Sequence, residues 1–250
     1  MEGFKASFLN EIEKMYKKKK AVVVVVISLI TIVLSQLVAA GVRFGFGFRL
    51  TDGSYFPKLV LSVFVNTILP LFTALVAIDI FTGEFSHNTM KIALTRPITR
   101  IKLFSAKITA IAFFITANLM IVMILSTLTG FIFNPTSITA VAIIRIIVSY
   151  LVTIIPVMVL SLIIIFFANV FGSGVAVFFL GIILFIVFKV LEIVYSQYSS
   201  LFITSMLGWF QYWNVDTLPL SKILREFLIM AGYAIMFFTA GYYLFDKRDL

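Results

Sequence analysis

The sequence predicts an all-α integral membrane protein with six transmembrane helices. Three observations carry that prediction. Of the 250 residues, 62% are hydrophobic and only 12% charged, about half the charged share of a soluble domain. The apolar residues gather in runs of about 20 or more, long enough for a helix to cross a bilayer. Those runs lack the period-2 alternation of barrel strands and are too long for them.

Residues 1–20 precede the first run. Phe4, Phe8, Ile12 and Met15 recur at helical spacing, with Leu9 and Tyr16 widening the stripe. Glu11, Glu13, Lys14 and Lys17 lie largely off it, so the segment reads as an amphipathic helix in the membrane interface. The single membrane domain 21–250 follows. Its spans are expected at about Ala21–Val42, Leu59–Phe81, Ile108–Phe133, Ala140–Phe167, Val175–Tyr195 and Phe227–Leu244. The first is about twice as long as a signal peptide's apolar core, which favours an uncleaved anchor. Pro70 and Pro156 interrupt two of the runs.

The 20 basic residues set the orientation. With the N-terminus inside, Lys5, Lys14, Lys17–Lys20, Lys91, Arg96, Arg100, Lys102, Lys107, Lys247 and Arg248 face the cytoplasm. Arg43, Arg49, Lys58, Arg145, Lys189, Lys222 and Arg225 fall outside or at outer ends, so the positive-inside rule places both termini in the cytoplasm of a multi-pass cell-membrane protein. The net charge of +9 fits attraction to anionic membrane lipid rather than nucleic acid. Asn169–Gly174 reads as a tight cytoplasmic turn. In the outer segment 196–222, Leu201–Phe210 is apolar but half a span long, which predicts a re-entrant or interfacial helix ringed by tyrosine and tryptophan.

An enzyme is not expected. There is no GxxxxGK[ST] phosphate loop, no cysteine, and one histidine, His87, so HExxH is excluded. No cofactor or metal is expected on this chain. The distinctive feature is the loop 84–107. Ser86 or Asn88 can cap a short helix to about Thr95, Pro97 disfavours helix at Arg96, and Thr99 can cap the helix of the third span. A second feature is Lys189 with Glu192, three apart in the fifth span and near the level of Arg145. Two readings stand: a self-neutralising pair, or a Glu192 that lines an outer pathway and contacts a cationic substrate or Arg145.

The order Glu84, Asn88-Thr89-Met90-Lys91, Arg96-Pro97-Ile98-Thr99-Arg100, Ala106-Lys107 resembles the signature loop of type-2 ATP-binding-cassette (ABC) exporter permeases. The family loop runs glutamate, Gly-Thr-Leu-Lys, Pro-x-x-Arg, Gly-Lys. Asn88 and Ala106 stand here for its two glycines. The interfacial first helix, the six spans, the segment before the last span and the ending Phe245–Leu250 are similar too. The resemblance implies a coupling helix between spans two and three, docking through Glu84, Asn88, Thr89, Lys91, Arg96, Pro97, Arg100 and Lys107. It implies a separate ATPase subunit that carries ATP and Mg, a second permease copy or homologue, and export of an amphipathic or hydrophobic substrate such as a peptide, a lipid-like compound or a drug. An ATP-independent channel or secondary transporter, and a non-transporting sensor or scaffold, remain as rival readings.

Overall fold

The computed structural model describes residues 2–17, 20–46, 53–86, 99–133 and 139–247. Among them are helices α1 (Glu2–Lys17), α2 (Lys20–Phe46), α3 (Phe56–Asn66), α4 (Ile68–Ser86), α5 (Arg100–Phe133), α6 (Ala140–Val170), α7 (Gly174–Val194), the one-turn α8 (Ile203–Met206) and α9 (Leu220–Lys247). The described residues contain no strand.

Five of these helices, α2, α5, α6, α7 and α9, are each long and apolar enough to cross a membrane. The pair α3 and α4, bent by 44°, passes the same test taken together and makes a sixth, broken span if it crosses as one unit. The sequence predicts one continuous run over Leu59–Phe81, and the break at Thr67 corrects it. Pro70 explains the break. It has no N–H for the carbonyl of Asn66, and its ring crowds that carbonyl. At the break the Thr67 N–H turns to the Phe64 carbonyl, and side chains bond one turn back: the Asn66 amide donates to the Ser62 carbonyl at 2.9 Å, and the Thr67 hydroxyl to the Val63 carbonyl at 2.6 Å. Pro156, by contrast, sits inside an unbroken α6.

The last helix is longer than expected. It begins at Leu220 rather than Phe227, so Lys222 and Arg225 lie on its opening turns. Thr139 and Ser173 cap α6 and α7, each side-chain oxygen accepting from the backbone N–H three residues on. α6 is the axis of the bundle, packed on α4, α5 and α9. Of its most apolar stretch 61% is buried, against 6% for α7, which therefore flanks the core.

At one end of the bundle Tyr150 is buried, its hydroxyl donating to the Pro57 carbonyl at 2.9 Å and lying 3.0 Å from the Ser126 hydroxyl. This joins α3, α5 and α6. Gly130 sits close by on α5, where a Cβ would stand 2.8 Å from the Gly53 carbonyl oxygen. Gly130→Ala is therefore expected to lower stability by about 1–3 kcal/mol, the cost of overpacking. Gly232→Ala, on a helix where a Cβ meets nothing within 4 Å, is expected to be neutral or stabilising. Thermal unfolding of the two variants in detergent checks this; equal melting temperatures would contradict the close approach.

Candidate functional site

The resembling loop lies between α4 and α5. Asn88, Thr89, Lys91, Arg96 and Pro97 fall in 87–98, outside the described residues, as does most of the helix expected over Ser86–Thr95. Glu84 is on the last turn of α4. What the structure does show is how the two ends of the loop are held.

Aromatic rings bind them. Phe81 of α4, Phe104 of α5 and Phe245 of α9 meet pairwise, with ring centroids 5.5, 6.1 and 5.3 Å apart. Phe104 also meets Phe238 and Tyr242 of α9 at 5.4 and 5.7 Å. Such edge and tilted pairs each add about 0.5–1.5 kcal/mol beyond their buried area. Gly241 lies against the Phe104 ring, whose tip would be in ordinary contact with a Cβ there, at 3.5 Å. Arg100, in the first turn of α5, donates to the Asp246 carbonyl near the end of α9.

Lys107 is the second device. Sequence reasoning puts it on the docking loop; the structure places it wholly inside the protein, with 0% exposure. Its ammonium donates to the Ile80 carbonyl at 3.0 Å, stands 3.6 Å from a Glu11 carboxylate oxygen and lies 5.8 Å from the centre of the Phe81 ring. Glu11 is itself only 3% exposed and also accepts from Lys14 at 3.0 Å. α1 thus docks on α5 through a charge, with Phe8 against Phe113 at 6.2 Å beside it. This corrects the expected stripe: Glu11 sits in the middle of the buried face, while Leu9 and Tyr16 are exposed. The signal was present. Glu11 is three residues after Phe8 and four before Met15, which puts it on their face.

The other end of the bundle carries a cap, residues 196–219. Instead of one half-span helix it forms a 3-10 turn at Ser196–Leu201, α8, and a 3-10 turn at Trp209–Trp213. Its own Ile203, Met206, Leu207, Trp209 and Phe210 are buried. Polar contacts seat it on the helices. Arg145 of α6 donates to Asp216 at 2.6 Å, and Ser149 and Asn214 bond to each other at 3.0 Å. Tyr212 donates to Glu226 at 3.0 Å. Arg145 holds the Asp216 carboxyl below its ordinary value, by hydrogen bond first and charge second. Burial, then Glu226, pushes the Tyr212 hydroxyl up.

Lys189 and Glu192 do pair, at 3.1 Å, and the Lys189 ammonium also donates to the Thr204 carbonyl of the cap at 3.3 Å. Arg145, named above as an alternative partner for Glu192, bonds Asp216 instead. Asp216 was not singled out in the sequence, because nothing local marks an exposed aspartate as the partner of a residue 71 positions away.

These features define the class: a multi-pass, all-helical membrane protein with no group of three or more metal-ligating side chains among the described residues. The comparisons then give the family. The model of the ABC-2 family transporter protein matches residues 8–192, and the chain belongs to that family. The match runs from α1, through the loop between α4 and α5, to Glu192 near the end of α7. A search of curated proteins finds no match. The chain is thus the membrane subunit of an ABC transporter; members of the family partner with an ATPase subunit and are not ATPases themselves.

Two tests follow from the charges. Removing one partner of a buried pair typically costs about 3–5 kcal/mol, whereas exchanging both for apolar groups is close to neutral. Lys107→Met and Glu11→Leu are each expected to lower the unfolding temperature sharply, and the double variant to recover most of the loss. Loss in the double variant equal to the sum of the singles would contradict the pairing.

Lys189 and Glu192 are 32% and 24% exposed, so the effect there is smaller. A lone charge deep in a span costs roughly 2.5–3.5 kcal/mol, less where it reaches water. Each single change is expected to impair assembly, and Lys189→Met with Glu192→Leu to restore both assembly and transport. A double variant that assembles and does not transport would assign Glu192 to the substrate path.

Proposed function

We propose that this chain is the transmembrane half of an ATP-driven exporter for an amphipathic or hydrophobic substrate. One observation carries the reading: the loop that resembles the family's coupling loop springs from a cross-braced base. Phe81, Phe104 and Phe245 join the ends of α4, α5 and α9, and Lys107 ties α5 to the Ile80 carbonyl of α4. A push on residues 84–107 is therefore passed to three spans at once rather than absorbed by a slack loop.

In this reading the separate ATPase carries ATP and Mg, and it docks on Glu84, Asn88, Thr89, Lys91, Arg96, Pro97 and Arg100. Lys107 acts from within, holding the loop's rear wall. A second permease copy or homologue completes the pathway, anionic lipid meets the basic inner surface, and both termini face the cytoplasm of the cell membrane. An apolar membrane interior supports an amphipathic or hydrophobic cargo such as a peptide, a lipid-like compound or a drug. A secondary transporter builds its site from paired broken helices. Among the described residues a single span is broken, at Thr67, which favours the ATP-driven reading.

The test is coupling. Exposed ion pairs are individually worth about 0–1 kcal/mol, so single changes act weakly. Glu84→Ala with Arg100→Ala in a reconstituted complex is expected to lower transport-linked ATP hydrolysis by about 5- to 30-fold, the effect of 1–2 kcal/mol. The permease itself should remain folded. Normal hydrolysis and export in that double variant would overturn the assigned docking roles.

A further inference from the structure

The apolar stripe of α1 is spent on protein, which leaves the opposite face with a task of its own. Phe8 meets Phe113 of α5, Met15 packs on the core, and Glu11 between them reaches Lys107. Leu9 and Tyr16 lie on the far side. Leu9 stands two residues before Glu11, about 200° around the helix, and Tyr16 follows Leu9 after nearly two full turns. They are 52% and 61% exposed. Lys5, one turn before Leu9, and Lys17, next to Tyr16, are exposed as well.

Two contacts set the level at which this face sits. Lys17 ends α1 three positions before Lys20 opens α2, the first span. Phe113, on which Phe8 rests, lies six residues or about 9 Å along α5 beyond Lys107 and is 42% exposed. An exposed phenylalanine on a span faces lipid, so α1 lies along the lipid side of α5 at the inner edge of the membrane.

Charge then selects what meets the outward face. Its carboxylate, Glu13, is matched by Lys17 at 2.7 Å, and Lys5 has no carboxylate partner among the described residues. In the sequence Lys18, Lys19 and Lys20 follow directly. A leucine and a tyrosine between lysines suit the headgroup level: the apolar groups reach the acyl boundary, and the long lysine stems carry their ammonium groups to the phosphates. The face also turns away from α5, whose opening turn ends the loop.

We propose that Lys5, Leu9, Tyr16 and Lys17 form a docking surface for anionic phospholipid headgroups of the inner leaflet, which clamp α1 on α5 and so regulate how firmly Glu11 and Lys107 hold the base of the loop. A headgroup that binds α1 only in its docked position favours docking by the same free energy. The charge of the leaflet thereby becomes an input to coupling. This rests on the exporter reading for its orientation and its output, and names a regulator of the same loop.

The chain has no cysteine, so Ala6→Cys, exposed on the same face, carries a single fluorescent label. The full chain is placed in nanodiscs of phosphatidylcholine with or without phosphatidylglycerol, with neither ATPase nor ATP, and quenching of the label by acrylamide is measured. Separately, Phe8→Cys with Phe113→Cys reports docking through its rate of disulfide formation. Phosphatidylglycerol is expected to shield the label and to speed the disulfide. Each lysine near an anionic surface contributes about fivefold to binding, so Lys5→Gln with Lys17→Gln weakens it about 30-fold and is expected to remove most of both effects. Glu13→Gln is expected to bring the shielding on at a lower phosphatidylglycerol content. Should the paired lysine change unfold the chain, Lys5→Gln alone is expected to give a partial loss.

Shielding that is equal with and without phosphatidylglycerol, or indifferent to the lysine changes, would overturn the surface. So would shielding that appears only when a soluble ATPase is added, since the face would then belong to that protein. A disulfide rate independent of phosphatidylglycerol would overturn the clamp. With no ATPase present, any of the failures in nanodiscs alone leaves the exporter reading standing. Lipid docking beside unimpaired coupling in the Glu84/Arg100 variant would sink the assigned docking roles and keep the lipid surface.

Discussion

A lysine ammonium with no exposure to solvent constrains the whole base of this protein. An unpaired charge in such a place costs several kcal/mol or more. Three groups from two other helices therefore converge on Lys107: the Ile80 carbonyl and the neighbouring Phe81 ring of α4, and Glu11 of α1. The requirement fixes the register of α4 against α5 and draws the amphipathic first helix onto the bundle. The aromatic cluster around Phe104 extends the same joint to α9. In the proposed coupling, stability and force transmission would use the same contacts, because whatever holds the charge also keeps the loop ends from sliding.

The two ends of the bundle differ in kind. The loop end is joined by a buried charge and edge-on or tilted rings. The cap end is seated by exposed or half-exposed polar contacts such as Arg145 with Asp216, which are individually weak. The α7 helix is the least buried of the long helices and has space on its inner side. A stiff base with a looser far end and one loosely packed helix is the arrangement expected of a device that takes a push at one end and opens at the other.

Much of this was legible in the sequence, for a physical reason. A bilayer leaves only helices for chains this apolar, so spans appear as long apolar runs, whereas the caps Thr139 and Ser173 were recognised only in the structure. The break at Thr67 was half legible: Pro70 marks a disturbed run, but a proline alone does not say whether a helix breaks, as Pro156 inside the unbroken α6 shows. The interior place of Lys107 was hidden, since a basic residue beside a loop normally faces water. Its partner Glu11 comes from a helix nearly a hundred residues earlier. The cap was misread as one helix because apolar content alone does not reveal breaks at Phe202 and Gly208.

The central claim is that the braced loop exists to receive an ATPase. Purifying the chain from its native membranes tests this most directly, alongside a variant in which residues 87–98 are replaced by a Gly-Ser linker. The account predicts that a phosphate-loop ATPase comes through purification with the natural chain and is lost from the linker variant, while both chains keep the same unfolding temperature. A stable oligomer of this chain alone, conducting ions with no ATPase attached, would contradict it.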